Sequence, residues 1–334
     1  MNPTASLDQQ PLLDIANLTV TFPSEHGPVR AVRGVNLRLR GGESLAILGE
    51  SGSGKSVTGK AALGLIGSRV RLTGSIRFEG DEIVGADENR LRALRGRGIA
   101  MVFQDSLDSL NPVYTVGSQL EEILRVRMGR SRSDARREAI ALLEQVGITS
   151  PETRLHHYPH QFSGGMRQRV CIAMAIALRP RVLIADEPTT ALDVTVQAGI
   201  LRLLKRLQRE TGMALIFVTH DLNVARLVAD RVAVMYAGRV VETGPIDEVY
   251  RRPAHPYSRA LMHSHPSAAT SWSELHPIPG NGPSKSVVVA GCSFHPRCPV
   301  ATERCASEDP PMLAVEPGRS SACHYAEEVL RGER

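Results

Sequence analysis

The sequence contains no apolar run long enough to cross a bilayer. Its longest, Val170 to Leu178, falls far short of the roughly 20 residues a transmembrane helix requires. The start of the chain, MNPTASLDQQ, has neither the basic residues nor the apolar stretch of a secretory signal. The expectation is a chain that stays in the cytoplasm unless a partner holds it at a membrane. Lysine is scarce: Lys55, Lys60, Lys205 and Lys285 are the only four among 40 basic residues. The net charge of +5 is carried by scattered arginines, with no basic run interleaved with aromatics. That argues against a nucleic-acid groove. No internal repeat is visible, which argues against two like domains in tandem.

What is present suits a globular protein: 42% hydrophobic and 22% charged residues over 334 positions, enough for one large domain with an appendage or two modest ones. Short apolar runs bounded by Gly, Pro or charge read as buried strands at Ser44 to Leu48, Ile99 to Phe103, Val182 to Ala185, Ala214 to Val218 and Val232 to Met235. Helical patterns separate many of them. One carries Val196, Ile200, Leu203, Leu204 and Leu207 on a single face. This alternation predicts an α/β fold with a mainly parallel sheet covered on both faces. Three helical stretches without intervening strands, Thr115 to Met128, Asp134 to Val146 and Ser163 to Leu178, predict a helical insertion. Cys171, inside the last, reads as a small buried hydrophobe. After about Arg251 the chain becomes rich in Pro, His, Ser and Gly, as in a loop-rich extension.

Gly49-Glu50-Ser51-Gly52-Ser53-Gly54-Lys55-Ser56 is a complete P-loop pattern, entered from an apolar strand and left by a helical stretch. Its glycines let backbone N–H groups turn toward phosphate oxygens, and the following helix adds its positive dipole end. Lys55 is expected to reach the β- and γ-phosphates of ATP, and Ser56 to ligate Mg²⁺. A second apolar strand ends in Asp186-Glu187. Asp186 suits the Mg²⁺ shell and Glu187 a general base acting on water.

Phe162-Ser163-Gly164-Gly165-Met166-Arg167-Gln168-Arg169, before a long helix, resembles the ABC signature, with Ser163 as the helix cap and bare amides at Gly164 and Gly165. Gln104 resembles the Q-loop glutamine, Thr190-Ala191-Leu192-Asp193 the D-loop, and His220 the switch histidine. The chain therefore resembles the ABC ATPases. The resemblance implies a P-loop ABC ATPase core at 12–250 with a helical subdomain at about 106–178. It also implies nucleotides sandwiched between two ATPase subunits, each supplying the signature segment, including Ser163, Gly164 and Gly165, to the other. Gln104 would sense the γ-phosphate and Mg²⁺, Asp193 contact the partner, and His220 steady the attacking water. The family stacks adenine on an aromatic ring, here Phe22 or His26.

The stretch Phe103-Gln104-Asp105 followed by Ser109-Leu110-Asn111-Pro112 resembles the FQDP-x-x-SLNP segment of dipeptide and oligopeptide importer ATPases, with Ser106 in place of the usual Pro. His255-Pro256-Tyr257, Ile278-Pro279-Gly280 and Pro283 resemble the C-terminal extension of that family, here 251–334. The resemblance implies an ATPase powering peptide import from the cytoplasmic face of a bacterial inner membrane. Its implied partners are a related, non-identical ATPase chain, two transmembrane permease subunits and an external substrate-binding protein, with no nucleic acid. ATPases of nickel, glutathione or other small-solute importers share these motifs. A soluble, non-transport ABC ATPase is the more distant alternative. Cys292, Cys298, Cys305 and Cys323 crowd the extension at spacings looser than structural zinc prefers. With the family's cysteine pattern they lead to the expectation of a [4Fe–4S] cluster, or else Zn²⁺, that staples the extension.

Overall fold

The computed structural model describes residues 10–25, 27–105, 109–190, 192–264, 278–280, 282 and 289–334. His26, Ser106, Ala191 and Pro283 lie outside the described residues. The chain divides into two compact units, one made of 1–86 and 219–334, the other of 87–218.

The first unit opens with β1 (Leu13–Phe22) and β2 (Val29–Leu39), then β3 (Ser44–Leu48), α1 (Lys55–Ala62), β4 (Arg71–Phe78) and the short β5 (Asp81–Glu82). β1, β2, β4 and β5 form an antiparallel sheet in the order β2-β1-β4-β5. Alternation accounts for it: Val35, Leu37 and Leu39 of β2 are buried between exposed Gly34, Asn36 and Arg38. β3 differs, with all five residues buried, and pairs in parallel with β9 (Arg231–Tyr236).

The second unit runs through α2 (Glu88–Leu94), β6 (Ile99–Val102), α3 (Val116–Met128), α4 (Arg132–Gln145), α5 (Pro151–Arg154), α6 (Gly164–Ile176), β7 (Val182–Asp186), α7 (Val194–Thr211) and β8 (Ala214–Thr219). β7 pairs in parallel with β6 on one side and β8 on the other. The three helical stretches expected from the sequence are α3, α4 and α6. Their starts are set by short polar side chains. Asp87, Thr115, Ser131, Ser163 and Asp193 each accept a hydrogen bond from the backbone N–H three residues on. Each such cap contributes about 1 kcal/mol. α3 and α7 stop at Gly129 and Gly212, whose φ of +66° and +69° suits glycine.

Back in the first unit, α8 (Leu222–Val228) precedes β9 (Arg231–Tyr236), β10 (Arg239–Pro245) and α9 (Ile246–Arg251). The extension adds α10 (Pro256–His263), α11 (Glu303–Ser307), β11 (Leu313–Glu316), β12 (Arg319–Ser321) and α12 (Ala326–Arg331). Strand order in this unit is β11-β12-β10-β9-β3, so the last two strands of the chain extend the edge at β10. The described part of the extension is loop-rich between these short elements, as its composition suggested. It also shares a core with the strands before it: Tyr257 and Phe294 pack with Leu48, Val232, Val234, Tyr236 and Val249. The pair Arg319–Glu242, at 2.8 Å and 1% and 0% exposed, joins β12 to β10. Glu242 also accepts the backbone N–H groups of Ala254 and His255. A buried carboxylate satisfied this fully costs little to keep and much to disrupt.

Candidate functional site

In the first unit the loop between β3 and α1 is shaped by its glycines. A Cβ on Gly49 would come within 2.1 Å of the Met235 carbonyl oxygen, and one on Gly54 within 2.5 Å of that of Ala31. No other residue fits either place. The Ser53 N–H donates to the Glu50 carbonyl at 3.2 Å, and the Gly238 N–H to the Ser53 carbonyl at 3.0 Å. Lys55 opens α1 and is buried. Its Nζ donates to the carbonyls of Gly49 at 2.7 Å and Glu50 at 3.0 Å, so the ammonium is folded back onto the first turn of the loop. Ser51 and Gly52 are exposed, and Ser56 is half-buried. His220, also exposed, directly follows β8. Asp221 beside it caps α8 by accepting from the N–H groups of Asn223 and Val224. Phe22 ends β1 opposite Val29 and is half-buried.

The first turn of the loop has partners that no local pattern announces. The Glu50 N–H donates to the Tyr257 hydroxyl oxygen at 2.9 Å. The Glu50 carboxylate receives Arg297 in a two-pronged contact, Nη1 to Oε2 at 2.8 Å and Nη2 to Oε1 at 3.0 Å. These residues lie about 250 positions apart in sequence, so neither spacing nor periodicity could reveal the pair.

In the second unit Asp186 is the buried last residue of β7. Glu187 follows in a left-handed conformation, φ +45°, which a non-glycine residue adopts only when its surroundings hold it there. Its N–H donates to the Val218 carbonyl at 2.9 Å. Its Oε2 accepts from the Gln104 amide at 3.2 Å and the Thr190 hydroxyl at 3.0 Å. Two donors from separate loops thus aim one carboxylate. Gln104 and Glu187 were both expected site residues; Thr190 was noted only as part of the D-loop, and its contact with Glu187 was not foreseen.

Ser163 caps α6 as the sequence suggested, accepting from the Met166 N–H at 3.3 Å. Of the two glycines behind it, Gly165 has a packing role besides any amide exposure. A Cβ on Gly165 would lie 2.3 Å from Cγ1 of Val196 on α7, and one on Gly164 would lie 3.4 Å from Leu192. Asp193 is exposed and caps α7. Val194 beside it is an exposed apolar side chain, 81% accessible.

Residues 32–190 match the ABC transporter family model, and residues 241–305 match the model for the oligopeptide/dipeptide transporter C-terminal region. The oligopeptide transport ATP-binding protein OppD of Salmonella typhimurium is 47% identical over 333 residues, 99% of each chain. This chain belongs to the ATP-binding subunits of dipeptide and oligopeptide ABC transporters. The dipeptide transport ATP-binding protein DppD of Escherichia coli is 48% identical, covering 94% of this chain and 96% of its own. Among solved structures, a dimeric bacterial ABC transporter cassette superposes with a TM-score of 0.63 at 32% identity, over 70% of this chain and 98% of the other. The fold is therefore the P-loop ABC ATPase fold, and the enzyme is an ATP hydrolase coupled to transport. Among the described residues no helix is long and apolar enough to cross a membrane.

Family membership and geometry together correct the expectation of an iron–sulfur cluster. The relatives are named simply as ATP-binding proteins. Among the described residues no group of three or more His, Cys, Asp or Glu side chains is arranged to hold a metal ion. Cys292, Cys298, Cys305 and Cys323 do line one cavity, but its volume is about 10 Å³, room for no more than a single water. Spacing brought the four cysteines to one place without building a ligand set. Nor does the extension need a staple for want of a core, since Tyr257 and Phe294 already sit in one.

Proposed function

We propose that this chain binds and hydrolyses ATP to power a dipeptide or oligopeptide importer, working at the cytoplasmic face of a bacterial inner membrane. The observation that carries the hydrolytic part is the Glu187 carboxylate, placed at a strand end and oriented by Gln104 and Thr190. Glu187 acts as general base: it takes a proton from water as the water oxygen attacks the γ-phosphorus, and ADP leaves. The backbone of Gly49, Glu50, Ser51, Gly52, Ser53 and Gly54 cradles the phosphates. Lys55 leaves its carbonyl partners to meet the β- and γ-oxygens, and His220 steadies the γ-phosphate. Ser56, Gln104 and Asp186 offer only oxygen ligands, a donor set that suits a hard cation such as Mg²⁺. Bound Mg²⁺ supplies charge neutralisation on the phosphate oxygens. Phe22 is assigned to adenine.

The working assembly in this reading contains a second ATPase subunit, a related but non-identical chain, two transmembrane permease subunits and an external substrate-binding protein. Ser163, Gly164, Gly165 and Asp193 serve the partner ATPase, and exposed Val194 beside Asp193 suits such a contact. The chain divides functionally into an ATPase domain, 12–250, with a helical subdomain at about 106–178, and an extension, 251–334. Peptide as cargo is supported by the match of residues 241–305 to the peptide-transporter C-terminal region. The test is the ATPase rate of the complex purified through this chain, reconstituted with its receptor, with and without short peptides. Several-fold stimulation by peptide is expected. Stimulation by nickel or glutathione but not by peptide would overturn the cargo, and a preparation lacking permease subunits would overturn the transporter.

A further inference from the structure

The P-loop of this chain carries an acidic residue at its second position. A carboxylate within a phosphate-binding loop works against its purpose, because it repels the triphosphate and competes for the lysine that should greet it. Lys55 Nζ already lies 3.0 Å from the main-chain carbonyl of Glu50, on the same turn of the loop. The fold deals with this charge from a distance. Arg297, 9% exposed, places its guanidinium squarely on the Glu50 carboxylate. Its Nε donates to the Pro279 carbonyl at 2.8 Å and its Nη1 also reaches the Tyr236 hydroxyl at 3.3 Å. The guanidinium sits 5.8 Å from the centre of the Tyr236 ring. Arginine fits such a place because its planar fork engages both carboxylate oxygens while its remaining N–H groups find other acceptors. The Glu50 carboxylate in turn holds the Arg297 guanidinium above its ordinary value. On the main-chain side, the Tyr257 hydroxyl takes the Glu50 N–H. Tyr257 itself is fixed among Tyr236, at 4.6 Å between ring centres, and Phe294, at 5.4 Å.

Resting on the ATPase reading above, we propose that Arg297 is a positioning residue of the nucleotide site. It holds the Glu50 carboxylate neutralised and turned toward the extension, so that neither Lys55 nor the incoming triphosphate meets a free negative charge in the P-loop. The extension thereby sets the affinity of the ATPase for nucleotide. Arg297 takes no part in bond breaking, so its loss should act on nucleotide affinity far more than on turnover.

The test is steady-state ATPase kinetics of the full chain in its membrane complex, together with equilibrium titration of a fluorescent ATP analogue. Arg297→Ala should raise the KM and the analogue Kd about tenfold while kcat changes less than about threefold, and added salt should shrink the difference. Arg297→Lys, which keeps the charge but loses the fork, should fall between the two. On a Glu50→Gln background, where no carboxylate remains to be neutralised, Arg297→Ala should cost less than about twofold. Thermal midpoints of every variant separate folding from affinity. A lowered midpoint with unchanged KM, or an equal KM penalty on the Glu50→Gln background, overturns the inference and leaves the ATPase reading intact. Absence of ATPase activity in the unsubstituted complex overturns that reading instead.

Discussion

The side-chain amide of Gln104 donates to the Glu187 carboxylate at 3.2 Å. The segment that follows β6 is thereby joined to the residue that follows β7. The amide donor and the carboxylate acceptor make different contributions, and substitution separates them. Glu187→Gln removes the proton acceptor but keeps the shape, so hydrolysis should fall by about a hundredfold or more while ATP stays bound. Gln104→Ala leaves the carboxylate but frees it to rotate, and should lower kcat by about tenfold with little change in KM. Single-turnover hydrolysis with retained nucleotide measured by filtration reads both. Wild-type turnover in Glu187→Gln would remove Glu187 from the role of base.

The near-contact of Gly165 with Val196 makes a different kind of prediction. A methyl group at position 165 would have to occupy space 2.3 Å from Cγ1 of Val196, and a β-branched side chain on a helix yields little. Gly165→Ala should therefore destabilise the second unit by about 1–3 kcal/mol. Adding Val196→Ala should recover most of that loss. Thermal unfolding of the single and double variants measures the coupling, and strictly additive losses would show that the two residues do not press on each other.

Acid should loosen the extension through His255. Burial lowers its imidazole from 6.5 to about 3, and its Nδ1 accepts the Tyr257 N–H at 3.0 Å, so the folded chain holds it neutral. Between pH 6.5 and about 3 the unfolded chain binds a proton that the folded chain refuses. Stability is thus unaffected above about pH 6.5 and declines as pH falls below it, by about 1.4 kcal/mol per pH unit from this residue. His255→Gln should flatten that decline relative to the unsubstituted chain when unfolding midpoints are compared at pH 7, 6 and 5. Parallel curves for the two proteins would exclude His255 as the source.

These contacts also mark where sequence reading succeeds. The strand before the P-loop, the strand ending at Asp186 and the helices α3, α4 and α6 were legible because each is written in a short run of neighbours. Apolar runs, a capping Ser or Asp, and glycines at fixed places suffice. The clamp of Arg297 on Glu50 was not legible, because it is made by tertiary folding between residues about 250 positions apart. β11 and β12 were not legible for a related reason: they are strands of four and three residues that exist by pairing, β12 with β10 and β11 with β12. The cysteines mark the opposite failure. Their spacing was plain, but the room left between their side chains depends on Phe294, Pro310 and Tyr325, which line the same cavity.

The two units differ in how they are threaded. The second is one uninterrupted stretch, 87–218, whereas the first is closed by both ends of the chain. Its core takes Leu48 from the beginning and Phe294 from near the end, and Glu242 finds its arginine only at position 319. During synthesis, then, the unit that holds Glu187 has all its residues available early, while the unit that holds the P-loop waits for Phe294 and Arg319 to leave the ribosome. A chain stopped short before Arg297 would carry every ATPase motif and still lack the pieces that complete the loop's own fold.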